Sequence, residues 1–429
     1  MKAYIKRVID GQLQEELEAI GAVLLEGPKW CGKTSSAEQL AKSALYMGDP
    51  ETRLANRMRA ETDPVSLLNG DTPRLIDEWQ IAAHQIWNTV RAEVDRRDAF
   101  SQFILTGSAT PPKMSDDAHS GIGRIKPVRM RTMSLFESGE SSGSVSLSGF
   151  FQTNDTPLSV RGTSEKKLED IAYLLCRGGW PRAVTADTRR IALKQAKNYH
   201  YALIHQELKD ENDHPIPPKR VALILRAYAR HTGTPASFST ILTDCLAHTG
   251  RTFSEDTLAN DIRKLTRLFV FEDITAWNPN LRSKTAIRTS PVRFFTDPSI
   301  ATASLGTGPE AMCKDIETFG LLFENMAVRD LRIYAEAANG TVYHYRDKNG
   351  LECDAVIVLR DGRYGLIEIK LGGDSWIEEG AKTLNKIERI IDTSRMGAPA
   401  FKMVLCGVSP AAYRRPDNVC VVPIDCLAP

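Results

Sequence analysis

Residues 21–45 read GAVLLEGPKWCGKTSSAEQLAKSAL, and this stretch decides the fold of the N-terminal half. Ala22 to Leu25 is a short apolar run of buried-strand type, and Ala37, Leu40, Ala41, Ala44 and Leu45 recur at helical spacing, so a strand, a loop and a helix are expected. The loop Gly27-Pro28-Lys29-Trp30-Cys31-Gly32-Lys33-Thr34 matches G-x-x-x-x-G-K-[ST] in full, in the context that the pattern requires. Gly27 and Gly32 can adopt backbone angles closed to other residues, which lets consecutive N–H groups turn inward as an anion cradle ahead of the helix. Lys33 is placed to reach β- and γ-phosphates, and the Thr34 hydroxyl is a hard oxygen ligand suited to Mg²⁺. The expected nucleotide contacts run from Gly27 to Ser35.

Downstream, the turn Asn69-Gly70-Asp71-Thr72-Pro73 leads into Arg74-Leu75-Ile76-Asp77-Glu78-Trp79-Gln80. A short strand ending in two acids is what a phosphate-loop enzyme needs next. Asp77 fits the Mg²⁺ shell, and Glu78 fits the polarisation of an attacking water. The same dipeptide would also suit a solvated helix start. A helix from Ile81 to Arg97 and a strand from Phe103 to Ser108 continue the alternation of a parallel sheet, whose ligand lies at the carboxyl ends of the strands. Ser108 at such an end could bond the γ-phosphate or the water, or be a turn serine.

The chain has 429 residues, which at about 150 residues per domain suggests roughly two to four domains. Hydrophobic residues make up 42% and charged residues 25%, and the net charge of +1 advertises neither a nucleic-acid nor a membrane partner in bulk. No apolar run approaches a membrane span and the N-terminus lacks a signal-peptide core, so a cytoplasmic protein without a membrane partner is expected. The eight cysteines are scattered without a C-x-x-C pair, which reads as reduced thiols.

Taken in order, GPKWCGKT, the LIDEWQ box, ILTGS, Gly123-Arg124 and Leu135-Phe136-Glu137 resemble prokaryotic AAA+ ATPases that carry a C-terminal domain of unassigned function. The resemblance spans essentially the whole chain. It implies ATP and ADP as ligands, Mg²⁺ and water handling by Asp77 and Glu78, and a sensor role for Ser108. Arg124 matches the Gly-Arg pair and is the candidate arginine finger, acting across a subunit boundary if the chain forms a homo-oligomer. A surface salt bridge is the alternative, and Arg129 and Arg131 could serve equally well.

Ser138 to Lys167 is rich in Ser and Gly and reads as a loop or lid. Leu168 to Arg177 reads as a helix stopped at Gly178-Gly179-Trp180-Pro181, a box that in the resembling family lies near the end of the ATPase lid. Helices are expected at Arg220–Arg230, Phe238–Ala247 and Glu255–Leu268. Strands at Val270–Ile274 and Val292–Phe295 would flank a loop carrying Arg282, Lys284 and Arg288, the layout of a winged helix. From Lys219 to Arg293 there are 12 Lys and Arg against 6 Asp and Glu. Arg263, Lys264 and Arg267 on one helix therefore suit DNA phosphates, or the module serves only for packing.

In the C-terminal part, an amphipathic helix Thr318–Tyr334 carries Glu324. Strands Glu352–Leu359 and Tyr364–Lys370 carry Asp354 and Glu368-Ile369-Lys370, and the order of elements resembles the PD-(D/E)XK nuclease fold. A two-residue turn would place Asp354 on the face opposite Glu368 and Lys370. A three-residue loop Arg360-Asp361-Gly362, with Gly362 left-handed, pairs Asp354 with Glu368 instead. Asp354, Glu368 and Glu324 are candidate metal ligands and Lys370 a candidate catalytic residue, unless the set is a solvated face or a vestige. The expectation is thus an α/β chain: a P-loop NTPase (AAA+) parallel-sheet domain with lid at 1–185, a winged-helix-like domain at 186–305 and a restriction-endonuclease-like α/β domain at 306–429. Its function would be ATP hydrolysis controlling a DNA-acting domain, or a slow nucleotide-gated switch or scaffold with a non-cleaving domain.

Overall fold

A computed structural model describes residues 3–107, 121–152, 160–205, 216–247, 253–279, 290–391 and 396–429. Packing groups the chain into two compact units, Met1–Thr132 with Arg267–Phe269, and Met133–Thr266 with Val270–Pro429. Residues 133–185, which the sequence reading attached to the ATPase half, pack with the second unit.

The first unit runs α1 (Ile9–Ala19), β1 (Ala22–Glu26), α2 (Lys33–Glu38), β2 (Ser43–Tyr46), α3 (Arg53–Thr62), β3 (Arg74–Asp77), α4 (Ala83–Arg97), β4 (Phe103–Gly107) and β5 (Ile125–Arg129). Its five strands are all parallel, in the order β2-β3-β4-β1-β5. The near-continuous apolar runs follow from burial on both faces. Leu24, Ile76, Phe103 and Leu105 pack with Ala60 of α3 and with Ile86, Trp87 and Val90 of α4. Their neighbours Val23, Leu25, Leu75 and Ile104 pack with Leu13 and Leu17 of α1 on the other face.

The helix expected to run from the phosphate loop to Leu45 is corrected here. It stops at Glu38, and Ser43–Tyr46 pair with Arg74–Asp77 as an edge strand. Ala44 and Leu45 fit a helical period and a two-residue period equally well over so short a run, and the open edge of β3 decides between them.

The second unit begins with β6 (Val145–Ser146), β7 (Gly162–Thr163), α5 (Leu168–Arg177), α6 (Pro181–Val184), α7 (Arg189–His205), α8 (Pro218–Arg230), α9 (Phe238–Leu246) and α10 (Glu255–Arg267). It continues with α11 (Pro298–Leu305), α12 (Pro309–Met312), α13 (Ile316–Ala337), β8 (Gly340–Arg346), β9 (Glu352–Leu359), β10 (Tyr364–Gly372), α14 (Asp374–Ile390), β11 (Phe401–Val408), β12 (Ala411–Arg414), β13 (Val419–Pro423) and β14 (Leu427–Ala428). A mixed seven-stranded sheet has the order β7-β12-β13-β11-β10-β9-β8. Antiparallel bridges Phe271–Phe295 and Ile274–Val292 join the two segments expected as strands. The intervening Arg282, Lys284 and Arg288 lie outside the described residues.

The segment read as a loop or lid is a second correction. β6 pairs with β14 and β7 with β12. Phe150 and Phe151 pack on Phe401 at ring-centroid distances of 4.8 and 5.2 Å. Two-residue strands carry too little pattern to be seen, because their partners stand about 250 and 280 residues away in the chain.

The Leu135-Phe136-Glu137 and GGWP boxes also acquire a physical role. Leu135 N–H donates to Asp330 (2.9 Å) and Gly179 N–H to Asp297 (2.9 Å). Between the two acids lies Arg329, 3.2 Å from Asp297 and 2.8 Å from Asp330, and all three are buried. Burial disfavours the guanidinium charge, but the two carboxylates outweigh it and hold Arg329 above its ordinary range. A Cβ on Gly179 would stand 2.0 Å from the Met133 carbonyl oxygen, so only glycine admits this approach.

Candidate functional site

The phosphate loop leaves the carboxyl end of β1, which lies between β4 and β5. Gly27 lies so close to the end of β5 that a Cβ would stand 2.1 Å from the Met130 carbonyl oxygen. Gly32 caps α2 in a left-handed conformation, with φ of 106°. These are the positions where the motif demands glycine. Lys33 is buried, its ammonium donating to the carbonyls of Gly27 and Pro28, each at 2.8 Å. Among the described residues it has no carboxylate partner. Lys29, Trp30 and Ser35 are exposed, whereas Cys31 is fully buried.

The acid opposite the loop is Asp77, the last residue of β3. Register aligns Tyr46, Asp77, Thr106 and Leu25 in one row at the carboxyl edge of the sheet. Asp77 Oδ1 accepts the Thr34 hydroxyl at 2.9 Å and the Thr106 hydroxyl at 2.5 Å. Among the described residues no cation pairs with this half-buried carboxylate. Glu78 follows in a left-handed conformation (φ 53°), exposed, with its carboxylate beside Gly48, where a Cβ would come within 3.1 Å of it. Tyr46 donates to Glu38 at 2.6 Å, and that bond, with burial and the Glu38 and Asp77 charges, pushes its hydroxyl up to about 12.

Two residues that the sequence reading passed over brace the loop. The buried Arg7 donates to the carbonyls of Cys31 (2.8 Å) and Arg131 (2.9 Å). Tyr4 bonds Ser36 at 2.8 Å and Asp10 at 2.8 and 2.9 Å. No motif marks either residue, since their partners are backbone carbonyls and a serine that the fold brings to them.

The candidate sensor Ser108 lies outside the described residues. Arg124 is placed at the other end of the sheet from the phosphate loop. β5 starts at Ile125 opposite Ala22 and ends at Arg129 opposite Glu26, so the length of a five-residue strand, about 16 Å, separates Arg124 from the loop edge. Its guanidinium pairs with Asp95 at 2.8 Å in an exposed contact. Arg129 stands at the loop edge, 3.5 Å from Glu26.

In the second unit, the β9–β10 hairpin has the three-residue loop, with Gly362 left-handed at φ 89° and Leu359 N–H bonded to the Arg363 carbonyl. The register Ala355–Ile367 continues to set Asp354 beside Glu368. Lys370 Nζ lies 2.9 Å from Glu368 and 3.7 Å from Asp354, and Asp354 also accepts the Ile369 N–H at 2.7 Å. Glu368 is buried, and its Oε1 has no hydrogen-bond partner. Burial and the Asp354 charge push the Glu368 carboxyl up to about 8 against the opposing pull of Lys370. Burial disfavours the Lys370 charge, but Asp354 and Glu368 outweigh it and raise the ammonium. Glu324 of α13 is raised well above its usual range by burial, Asp354 and Glu368.

Glu324 makes no hydrogen bond or ion pair among the described residues. No group of three or more His, Cys, Asp and Glu among the described residues is placed to hold a metal. Lys370 is the cation that contacts Asp354 and Glu368 among the described residues, while Glu324 feels the charges of both acids. Among the described residues no helix is long and apolar enough to cross a membrane.

Comparison with known proteins adds three family matches and two relatives. A model described as an AAA domain matches residues 20–138. Models described as domains of unknown function match residues 168–311 (DUF8612) and 319–427 (DUF4143). Uncharacterized proteins of Mycobacterium tuberculosis and Mycobacterium bovis are each 23% identical over 431 residues, which cover 98% of this chain and 84% of the relative. With the all-parallel sheet and the phosphate loop, these findings support an AAA-type P-loop ATPase domain at the N-terminus.

Proposed function

We propose that this chain hydrolyses ATP with Mg²⁺ and that its nucleotide state controls a DNA-acting second unit. One observation carries the ATPase reading: Thr34 and Asp77 are already hydrogen-bonded across the mouth of the phosphate loop, with no cation of the described residues on the acid. That donor set fits Mg²⁺, a hard ion held by hydroxyl and carboxylate oxygens and by water. Thr34 would ligate the ion and Asp77 would hold its water shell. The ion, when bound, neutralises charge on the transferring phosphoryl group.

The chain's own residues do the rest. The loop N–H groups and Lys33 bind and orient the phosphates, which requires Lys33 to exchange two neutral carbonyls for an anion. Glu78, exposed beside the site, orients water and accepts its proton. Arg124 serves as a finger only in trans, in a homo-oligomer, since its own loop lies a strand length away. For DNA, the support is the exposed Arg263 and Arg267 on α10, which pair with no acid among the described residues and which phosphates can reach.

A second reading, a slow nucleotide-gated switch whose C-terminal acids cut nothing, is favoured by the Lys370 contact with both Asp354 and Glu368. The discriminating experiment measures ATP hydrolysis with and without single-stranded, double-stranded and branched DNA, together with cleavage of the same DNAs in Mg²⁺ or Mn²⁺. Glu78→Gln should retain ATP binding while hydrolysis falls by about 10²- to 10⁴-fold. Equal loss of binding and turnover in that variant would remove Glu78 from its role. Stimulation by one DNA form without cleavage would select the switch.

A further inference from the structure

Thr106 stands inside the ILTGS stretch, where only Ser108 was given a role, yet it touches the acid on which the proposed metal site depends. It lies on β4, between β3 and β1, and only 1% of it is exposed. Register places it beside Asp77, and its hydroxyl donates to the same oxygen, Oδ1, that accepts the Thr34 hydroxyl. The two donors approach from different elements: Thr34 from the first turn of α2, Thr106 from the neighbouring strand.

The consequence follows from hydrogen-bond chemistry. A hydroxyl has one proton and two lone pairs. While Asp77 takes the Thr34 proton, both Thr34 lone pairs remain free to face a cation at the mouth of the loop. That arrangement lasts only as long as the Asp77 carboxylate keeps its rotation, and a carboxylate held by one flexible donor can turn about its side-chain torsion. The second donor, fixed to a central strand and shielded from water, stops that turn. With Oδ1 doubly bonded, Oδ2 is left to accept from the water shell of an ion. Partners one shell out from a metal, here Asp77, typically change its affinity by about 10- to 100-fold, and Thr106 would act on the ion through Asp77.

We infer that Thr106 is a positioning residue for Mg²⁺: it locks Asp77 so that the Thr34 oxygen and the second Asp77 oxygen both point to the ion that accompanies the nucleotide. The inference rests on the ATPase reading. It predicts a defect in the linkage between metal and nucleotide, with the phosphate cradle itself unaffected, because the Thr106 hydroxyl bonds Asp77 while Lys33 bonds the loop carbonyls.

The test compares Kd for ATP and ADP in Mg²⁺ and in EDTA for the full chain and for Thr106→Val, which keeps the shape and removes the donor. Wild-type protein should bind more tightly with Mg²⁺. The Val protein should bind equally well in EDTA but lose about tenfold or more of the Mg²⁺ gain, and Thr106→Ser should restore most of it. A Mn²⁺ titration followed by electron paramagnetic resonance, with ADP present, should show the same order. If the Val protein does not fold, as judged by its melting curve, Thr106→Ala and Thr106→Ser carry the comparison. A full Mg²⁺ gain without the hydroxyl, or an equal loss in EDTA, overturns the inference and leaves Thr106 a packing residue. Wild-type protein that binds nucleotide with no Mg²⁺ gain also overturns it, whereas wild-type protein that binds no nucleotide at all overturns the ATPase reading beneath it.

Discussion

Lys33 and Lys370 each belong to a set of residues that includes carboxylates, yet the two are held in opposite ways. Lys33 is bonded to two neutral carbonyls of its own loop, and the nearby Asp77 is bonded to two hydroxyls. Neither charge is cancelled by the other. Lys370 lies within 4 Å of both Asp354 and Glu368, so its charge is already engaged by acids. The first arrangement keeps a positive charge for an anion and a negative charge for a cation, which is what binding a metal-bound phosphate requires. The second holds its lysine on acids of the same hairpin and leaves Glu368 Oε1 without a partner. Similar residue types therefore leave the lysine clear of acids in one place and hold it on acids in the other, and the difference lies in which groups the backbone brings within reach.

Exchange of roles between the lysines would break this contrast, so the largest effect is expected there. Lys33→Ala should weaken ATP binding by about 100-fold or more, since it removes a charge-assisted contact to phosphate in a low-dielectric site. Lys370→Ala should leave ATP affinity unchanged. Isothermal titration of both variants decides it, and comparable losses would erase the distinction.

A smaller effect sharpens the second half of the comparison. Glu368 has a folded pKa of about 8, above its ordinary value of 4.5. The folded state thus holds a proton that the unfolded state has released, and the stability that this proton lends is complete below pH 4.5 and fades as pH rises toward 8. Thermal melts in EDTA from pH 5 to pH 8 should show the second unit melting lower at the alkaline end, by roughly 5 °C or more. Glu368→Gln should flatten that slope, and an unchanged slope would mean that Lys370 keeps the acid ionised throughout.

The smallest structural effect belongs to Arg124. Its pair with Asp95 is exposed, so Arg124→Ala should alter stability by no more than about 1 kcal/mol. If it acts in trans, hydrolysis should fall without loss of ATP binding, and mixing with Lys33→Ala protein should restore some activity. Mixed oligomers without recovery would confine Arg124 to its salt bridge.

Much of the first site was legible because its chemistry is local in the chain. The phosphate loop spans eight consecutive residues, its glycines stand where the backbone demands them, and the strand before it announces itself by an unbroken apolar run. The β9–β10 register was legible for the same reason, since a short loop with a left-handed glycine sets which faces Asp354 and Glu368 share. A pattern of a few residues suffices when the geometry it fixes extends no further than a turn.

What only the tertiary structure decided is where distant partners meet. Ala44 and Leu45 became a strand because β3 offered an open edge, and Val145–Ser146 became one because the last residues of the chain lie beside them. Arg7 braces the phosphate loop through carbonyls, which carry no residue identity for a motif to record. Arg329 is buried because two acids and the backbone of two separate boxes converge on it. Thr106 reads as an ordinary strand residue until β3 pairs with β4 and sets its hydroxyl on Asp77. The sequence by itself determined the loop that can hold phosphate and the acids that can serve it. Which lysine keeps its charge free, and which acid is locked for a metal, depended on contacts between segments that the chain keeps apart, because hydrogen bonds and ion pairs are decided over a few ångströms in space.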